Sequence, residues 1–150
     1  MAREARGVRP GLEVSAAVVR RPEIARDTFL QDGAAWAREG TVDRLVPMIY
    51  TESNEDFRSD LDAWLAAAPG KPVTVGIGAY KNSAMRTLEQ VRLGAPADGY
   101  CLFAYASLFE SVNPFEPKDE AAAATRTTRR NAITPIQTGS RRTTSADDSP

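Results

Sequence analysis

Four short apolar segments, each about 30 residues after the previous one, constrain the fold of this 150-residue chain more than any other feature. They are Leu12–Val19, Val42–Tyr50, Val73–Ile77 and Tyr100–Tyr105. Each is short and rich in aliphatic or aromatic residues, which predicts β-strands. Because a crossover between parallel strands needs a dozen or more residues, the spacing predicts βαβ units and a parallel sheet. Pro47 lies inside the second segment, and a proline there usually indicates an edge strand or a bulge.

The segments between the strands carry helical patterns. Glu55–Ala68 has apolar residues at intervals of three and four, and Ser53 or Asn54 can cap its start. Glu23–Glu39 predicts either one helix or two short ones, since polar residues and a glycine interrupt its middle. Ser83–Leu93 predicts a shorter helix.

Alternating strands and helices predict an α/β protein, for which two architectures compete. One is a small open α/β sheet, and the other is part of a (β/α)8 barrel. The strands are apolar throughout, which fits a sheet covered on both faces or a barrel wall. A dinucleotide-binding sheet is not supported, because Gly76-Ile77-Gly78 lacks the third glycine of GxGxxG.

The composition excludes several kinds of chemistry. The chain has no histidine, so it cannot form a Ser-His-Asp triad, a Cys-His dyad or a His-ligated metal site. Its single cysteine, Cys101, excludes an internal disulfide and a cysteine-cluster metal site. We therefore predict no metal and no cofactor. The net charge of −1 gives no reason to expect nucleic acid or a membrane as partner. Without a signal peptide or an apolar span, the chain as given is predicted to be cytoplasmic.

The charge and composition divide the chain at about residue 117. Residues 1–117 carry 13 basic and 16 acidic side chains, whereas residues 118–150 carry 6 and 4 and contain no aromatic residue. Thr, Arg, Ser and Ala dominate the second stretch, which offers little apolar surface to bury. The prediction is one α/β unit over 1–117 and a disordered, low-complexity tail over 118–150.

The predicted strand ends carry the candidate functional residues. Tyr50, Tyr80 and Tyr105 each stand at or just after the carboxyl end of a strand, and Glu52 is the only acid immediately after one. Ligands of parallel α/β folds bind at these ends. Tyrosines there suit sugar rings, which offer C–H faces for stacking and hydroxyls for hydrogen bonds. The alternative is that tyrosines end strands simply because they are amphipathic, and that Glu52 is an ordinary surface residue.

Four blocks of the sequence resemble a known family. They are RPGLEVSAAV (9–18), VDRLVPMIYTES (42–53), VTVGIGAY (73–80) and DGYCLFAYASL (98–108). In order and spacing they are similar to the last four strands of the glycosyl-hydrolase-like 10 family, a group of predicted (β/α)8-barrel hydrolases acting on carbohydrate. The resemblance covers about residues 3–115. It implies a partial TIM barrel of about four βα units, strands five to eight.

The resemblance also implies a set of site residues. The supporting rim would comprise Tyr50, Glu52, Tyr80 and Tyr105, with Met48 and Ser15 as neighbours and Glu52 as the catalytic candidate. The family's catalytic acid lies in a D-x-x-R-Y-P motif near strand four, and no such motif occurs here. Family members commonly carry Asn where this chain has Ile49.

The leading hypothesis is therefore the C-terminal half of a carbohydrate-active barrel hydrolase, inactive alone. Glycoside hydrolysis usually needs two carboxylates, and only Glu52 is well placed. A truncated reading frame is the favoured explanation, with self-association into a barrel-like ring as another. The alternatives are a carbohydrate-binding or assembly module without catalysis, and a small α/β protein whose tail engages a protein partner.

Overall fold

The structure, a computed structural model, describes residues 2–109 and 120–139. Helices and strands alternate as the sequence predicts. In chain order they are α1 (Ala2–Val8), β1 (Ser15–Val19), α2 (Pro22–Phe29), α3 (Gly33–Arg38), β2 (Arg44–Ile49), α4 (Asn54–Ala67), β3 (Thr74–Gly78), α5 (Ala84–Leu93), β4 (Gly99–Phe103), a 3₁₀ turn (Tyr105–Ser107) and α6 (Glu120–Gly139). The α/β class is thereby confirmed.

The four strands form one parallel sheet, as predicted, in the order β1-β2-β3-β4. Every strand neighbours the strand that follows it in sequence. Among the described strands the order never reverses, whereas the doubly wound sheets of dinucleotide-binding proteins contain such a reversal. All four carboxyl ends consequently lie along one edge of the sheet.

Helices cover one face of this sheet, which we call the covered face. The strand residues buried there are Val18, Leu45, Ile49, Val75 and Ile77. Phe57, Leu61 and Trp64 of α4 are buried completely against them. The indole Nε1 of Trp64 also donates to the carbonyl oxygens of Val19 at 3.2 Å and Arg20 at 3.1 Å. Helix α4 is thus joined to the end of β1 by both packing and hydrogen bonds.

The opposite face is less covered by the described residues, and we call it the open face. Ala17, Cys101 and Phe103 on this face are exposed, and Val46 and Met48 are half-buried. Strand register aligns Met48, Gly76 and Cys101 in one row across it. Apart from a polar first row of Ser15, Arg44 and Thr74, in which Arg44 donates to Thr74 Oγ1 at 3.0 Å, the open face is also apolar, but the described helices bury only the covered face.

Pro47 lies in an interior strand, contrary to the edge position that a proline usually indicates. It pairs with Val18 of β1 on one side. On the other side the β2–β3 ladder contains Met48 and Ile49, with only an isolated bridge from Leu45 to Val73 before it. Because proline has no N–H to donate, the ladder is interrupted next to it and resumes one residue later.

The segment predicted as one or two helices forms two. Leu30, just after α2, has a left-handed backbone with φ of 57°, which ends that helix. The side chain of Asp32 then accepts a hydrogen bond from the Ala35 amide at 3.0 Å and caps α3. The polar residues between the two helices thus provide the N-cap with which the second helix, α3, begins.

The structure differs from the predicted disordered tail over Glu120–Gly139, which forms α6 and packs against α5. Arg126, Arg129 and Ile133 lie three or four residues apart and are buried. The Arg129 Nε donates to the Asn82 carbonyl oxygen at 2.8 Å. Arginine can bury its aliphatic stem while its head makes hydrogen bonds, so one isoleucine and two arginines provide a packing face that a count of large aliphatics misses. The rest of the predicted tail, 118–119 and 140–150, lies outside the described residues.

Candidate functional site

Three aromatic rings meet at the carboxyl ends of β2, β3 and β4, and we call them the aromatic cluster: Tyr50, Tyr80 and Phe103. The Tyr50 and Phe103 rings are stacked, with centroids 5.2 Å apart. Tyr80 meets both rings edge-on, with centroids at 6.2 Å from Tyr50 and 5.9 Å from Phe103. Offset stacks and edge-to-face pairs are favoured aromatic geometries, so the three rings stabilise each other's positions.

Glycines in β3 make room for this cluster. A Cβ at Gly76 would lie 3.3 Å from Cε1 of Tyr50, and a Cβ at Gly78 would lie 3.0 Å from its Cβ. The Tyr50 side chain therefore lies across β3 on the open face and reaches Phe103 on the next strand. Two glycines spaced by two residues, both on that face, are the local sequence feature that permits this crossing.

Burial changes the acid–base chemistry of the cluster. It raises the pKa of the Tyr50 hydroxyl above its usual range, and the neighbouring Cys101 and Tyr80 raise this pKa further. A tyrosine hydroxyl is protonated at neutral pH in any case, so the effect of this raised pKa is confined to alkaline pH, where Tyr50 keeps its proton longer. The Lys81 ammonium lies 5.9 Å from the Tyr80 ring centroid, within the range of a cation–π contact.

A buried amide network supports the loops beneath the cluster. The Asn82 Nδ2 donates to Gln90 Oε1 at 2.9 Å, and the Gln90 Nε2 donates to the Thr51 carbonyl oxygen at 2.9 Å. Asn82 and Gln90 are fully buried, and they connect the loop after β2 with the loop after β3 and with α5. Since Thr51 follows Tyr50 and Asn82 lies two residues after Tyr80, this network fixes the backbone on both sides of the cluster.

Tyr105, predicted at the same rim, belongs to a separate aromatic pair. Its ring stacks on Phe109 with centroids 4.8 Å apart, and the Arg130 guanidinium of α6 lies 5.9 Å from the Phe109 centroid. Tyr105 is 65% exposed. It follows the end of β4 by two residues, so the pair extends the aromatic surface at the carboxyl end of that strand.

The predicted acid, Glu52, and the arginine that follows β1, Arg20, differ in their surroundings. Glu52 is exposed and follows Tyr50 by two residues in the sequence. Arg20 is engaged by a carboxylate, because its Nε donates to the buried Asp60 Oδ2 at 2.6 Å. The neighbouring Arg21 donates to the other oxygen of Asp60. These arginines therefore anchor β1 to α4 rather than presenting bare guanidinium groups to a ligand.

The two remaining predicted neighbours lie at different heights. Met48 is on the open face, half-buried, in the row beside Gly76 and two residues before Tyr50. Ser15 is the first residue of β1, at the amino-terminal end of the sheet, and the structure does not bring it to the rim. Its place beside the rim was implied by the family resemblance, whereas the carboxyl end of β1 is at Val19, four residues later.

Phe103 is the cluster residue that the sequence reasoning missed. The fourth strand was predicted to end at Tyr105, but it ends at Phe103 and the chain then enters a 3₁₀ turn. Period-two alternation places Cys101 and Phe103 on one face, so the signal was present in the strand itself. The sequence prediction considered only the tyrosines at the strand ends and therefore did not include Phe103.

The other cavities and clusters of charged residues in the described part of the chain are weaker candidates for a functional site. One cavity of about 460 Å³ lies between α4 and α5, where Asn54 donates to Glu89 at 2.8 Å. Another of about 500 Å³ lies beside α1 and Gly40. Within 2–109 and 120–139, no three His, Cys, Asp or Glu side chains are grouped as a metal site would require. None of the helices in these ranges has the length and apolar character needed to cross a membrane.

Comparison with protein-family models, with curated proteins and with solved structures finds no match for this chain.

Proposed function

We propose that this chain is a half-barrel carbohydrate-binding unit of the hydrolase-like kind, which binds a sugar ring at its aromatic cluster and does not cleave it alone. The observation that carries the proposal is the meeting of Tyr50, Tyr80 and Phe103 at the carboxyl ends of three consecutive parallel strands. In barrel enzymes of this strand arrangement, the functional site is built at that end.

The barrel part of the proposal is supported by the sheet. Four parallel strands in sequential order with helices on one face are the arrangement of one half of a (β/α)8 barrel. The open face would then correspond to the barrel interior, where side chains from successive strands pack in layers. The resemblance to strands five to eight of the glycosyl-hydrolase-like 10 family agrees with this arrangement.

The carbohydrate part is supported by the chemistry of the rings. Phe103 and Tyr105 are exposed and can stack on the C–H face of a sugar, while the hydroxyls of Tyr50 and Tyr80 can hydrogen-bond to its hydroxyl groups. A surface of aromatic faces with a few polar groups is typical of small-ligand sites. The polar network at Asn82 and Gln90 keeps these rings in place before a ligand arrives.

The proposed absence of hydrolysis follows from the carboxylates. A glycosidase usually needs an acid and a second carboxylate about 5–10 Å apart across the bond. Among the described carboxylates, Glu52 alone follows the carboxyl end of a strand within three residues. Asp60, on α4, is buried and bound by Arg20 and Arg21, so it does not face a ligand. Binding therefore needs only this chain, whereas hydrolysis would need a second carboxylate from elsewhere.

An NMR titration tests the proposal. Backbone amide spectra of the full chain are recorded with cello-, xylo-, manno- and chito-oligosaccharides, with Phe103→Ala and Tyr105→Ala as site variants. We expect saturable shifts around Tyr50, Tyr80 and Phe103 with at least one series, and an affinity about fivefold to tenfold lower in both variants, since stacking on one ring contributes about 1 kcal/mol.

Phe29→Ala is the matched control, because Phe29 is an exposed aromatic residue on α2, outside the cluster. It should leave the affinity unchanged. If none of the four series gives a saturable shift, or if Phe29→Ala weakens binding as much as Phe103→Ala, carbohydrate binding at the cluster is wrong. Turnover of aryl glycosides by this chain alone would contradict the proposed absence of hydrolysis, whether or not it survives a Glu52→Gln substitution.

A further inference from the structure

The open face is polar in its first row, at Ser15, Arg44 and Thr74, but towards the carboxyl ends of the strands it presents an apolar surface that parallel sheets rarely leave to water. Ala17, Cys101 and Phe103 are exposed on it, and Val46 and Met48 are only half-buried by the described residues. Parallel sheets occur almost only with both faces covered. The covered face already has α4 and its neighbours, so a second layer is needed on this side alone.

The two edges of the sheet match each other. Strands β1 and β4 are each paired on one side only within the described part of the chain. All strands run in the same direction, so β4 of one copy can pair with β1 of a second copy and continue the parallel sheet. Making this junction twice, around a twofold axis along the strands, closes a ring of eight strands. Eight is the number at which side chains just fill the interior of a closed parallel barrel.

Apolar side chains flank both edges at the same height. Leu30 is 86% exposed, although its left-handed backbone is unfavourable for a leucine. The adjacent Gln31 accepts a hydrogen bond from the Val19 amide, so Leu30 lies near the carboxyl end of β1. Tyr105 and Phe109 lie just beyond the carboxyl end of β4 and are also exposed. Pairing β4 with β1 brings these two apolar groups to the same end of the seam.

The contact area has two parts. Four strands of about five residues give an open face of roughly 17 by 19 Å, or about 300 Å² in each copy, so the two faces together contribute about 600 Å². The two strand seams, with the exposed Leu30, Tyr105 and Phe109 beside them, add further area to this. A second copy supplies a half of the right strand number and direction without any further component.

We propose that two copies of this chain associate through their open faces and edge strands into a closed eight-stranded ring. The inference rests on the half-barrel part of the proposed function and not on sugar binding. In the ring each copy contributes its own Tyr50, Tyr80 and Phe103 to one shared rim. The ring thereby brings both aromatic clusters to one rim and buries the part of the open face that lies between this rim and the amino-terminal ends of the strands.

Mass and thiol reactivity of the unliganded full chain test this inference. Light scattering and sedimentation equilibrium should give twice the monomer mass of 16.3 kDa, with dissociation on dilution. The Cys101 thiol, exposed in one copy, should react with a disulfide reagent about tenfold more slowly in the associated state, since it would face the ring interior.

Ala17→Arg and Ala66→Arg form a matched pair of variants. Ala17 is exposed on the open face, whereas Ala66 is exposed on the outer side of α4. The first should give a folded monomer with rapidly reacting Cys101, and the second should remain a dimer; circular dichroism reports whether each variant folds.

A monomeric mass at every concentration together with unprotected Cys101 in the unmodified chain would overturn the inference, whatever the variants do. A dimer that persists in Ala17→Arg with Cys101 still reactive would also overturn it, because association would then use another surface. Because no sugar is present in these measurements, the ring can fail while carbohydrate binding stands, and the reverse.

Discussion

The two faces of the same four strands are built from different residues. The covered face has branched aliphatic side chains such as Val18, Leu45 and Ile77, all fully buried against α4 and its neighbours. The open face alternates very small residues with large rings, and Gly76 lies between Met48 and Cys101 in one row. The covered face is a conventional helix–sheet core, whereas the open face is shaped to let one side chain cross a neighbouring strand.

This difference separates stability from function within one sheet. Branched side chains in fixed rotamers fill the space beneath helices at high density. A glycine has no side chain to contribute to such packing, but Gly76 and Gly78 leave the space in which the Tyr50 side chain lies. The open face therefore has less packing per residue and a more specific arrangement of polar and aromatic groups, which is what a binding surface needs.

The largest expected effect compares adjacent residues on opposite faces of β2. Leu45→Ala should lower the free energy of unfolding by about 3 kcal/mol, because a fully buried leucine leaves a cavity. Val46→Ala should cost only about 1 kcal/mol, since Val46 is half-buried. Urea denaturation of both variants measures the two losses.

The ratio of these two losses shows whether the covered and open faces differ in packing in solution, as they do in the structure of a single chain. Equal losses for Leu45→Ala and Val46→Ala would contradict the comparison for an isolated chain. The proposed ring makes a further prediction. If Val46→Ala lowers the free energy of unfolding more at higher protein concentration, while the effect of Leu45→Ala does not become smaller, then association packs the open face.

Sequence patterns were enough to predict the parallel sheet and the order of the elements up to β4. The strands, α4 and α5 were each placed correctly to within a few residues, because apolar residues there follow the periods of the sheet and the helix. Tyr50 and Tyr80 were also placed correctly at the carboxyl ends of their strands. These predictions depend on local patterns that the final packing does not alter.

The open face and the ends of elements were harder to predict. A shift of two residues at the end of β4 exchanged Phe103 for Tyr105 in the cluster. Ser15, which only the family resemblance assigned to the rim, lies at the opposite end of β1. Helix α6 depends on contacts of Arg129 and Ile133 with the body of the protein, which no local pattern reveals. Boundaries and tertiary contacts are decided by neighbours distant in sequence.

A smaller effect is expected from filling the space under Tyr50. Gly76→Ala should lower the free energy of unfolding by about 1–3 kcal/mol, because the new methyl group would lie 2.9 Å from the Pro47 carbonyl oxygen and 3.3 Å from Tyr50. Gly99→Ala is the matched control on β4, since its nearest neighbour, Thr74 Oγ1, would be at an ordinary 3.8 Å. The control should keep or slightly raise stability.

Amide chemical shifts sharpen this test. Gly76→Ala should move the signals of Tyr50 and Phe103, whereas Gly99→Ala should leave them in place. If both variants have the same stability and leave the cluster signals unchanged, the open face is loosely packed and the glycines are not needed for the tyrosine to cross β3.

The smallest expected effect is the pH dependence of Tyr50, which measures how dry the open face is. Burial raises the pKa of its hydroxyl, so at pH values above about 10 the folded chain keeps a proton that the unfolded chain has lost. The contribution of this group to stability is therefore complete below that pH and is lost as the pH rises through the raised pKa. Phenolate absorbance should show a late-ionising tyrosine that disappears in Tyr50→Phe and persists in the control Tyr105→Phe. If Tyr50 instead ionises at an ordinary pKa, water reaches the cluster freely. The open face would then differ from the covered face in its access to water as well as in its packing.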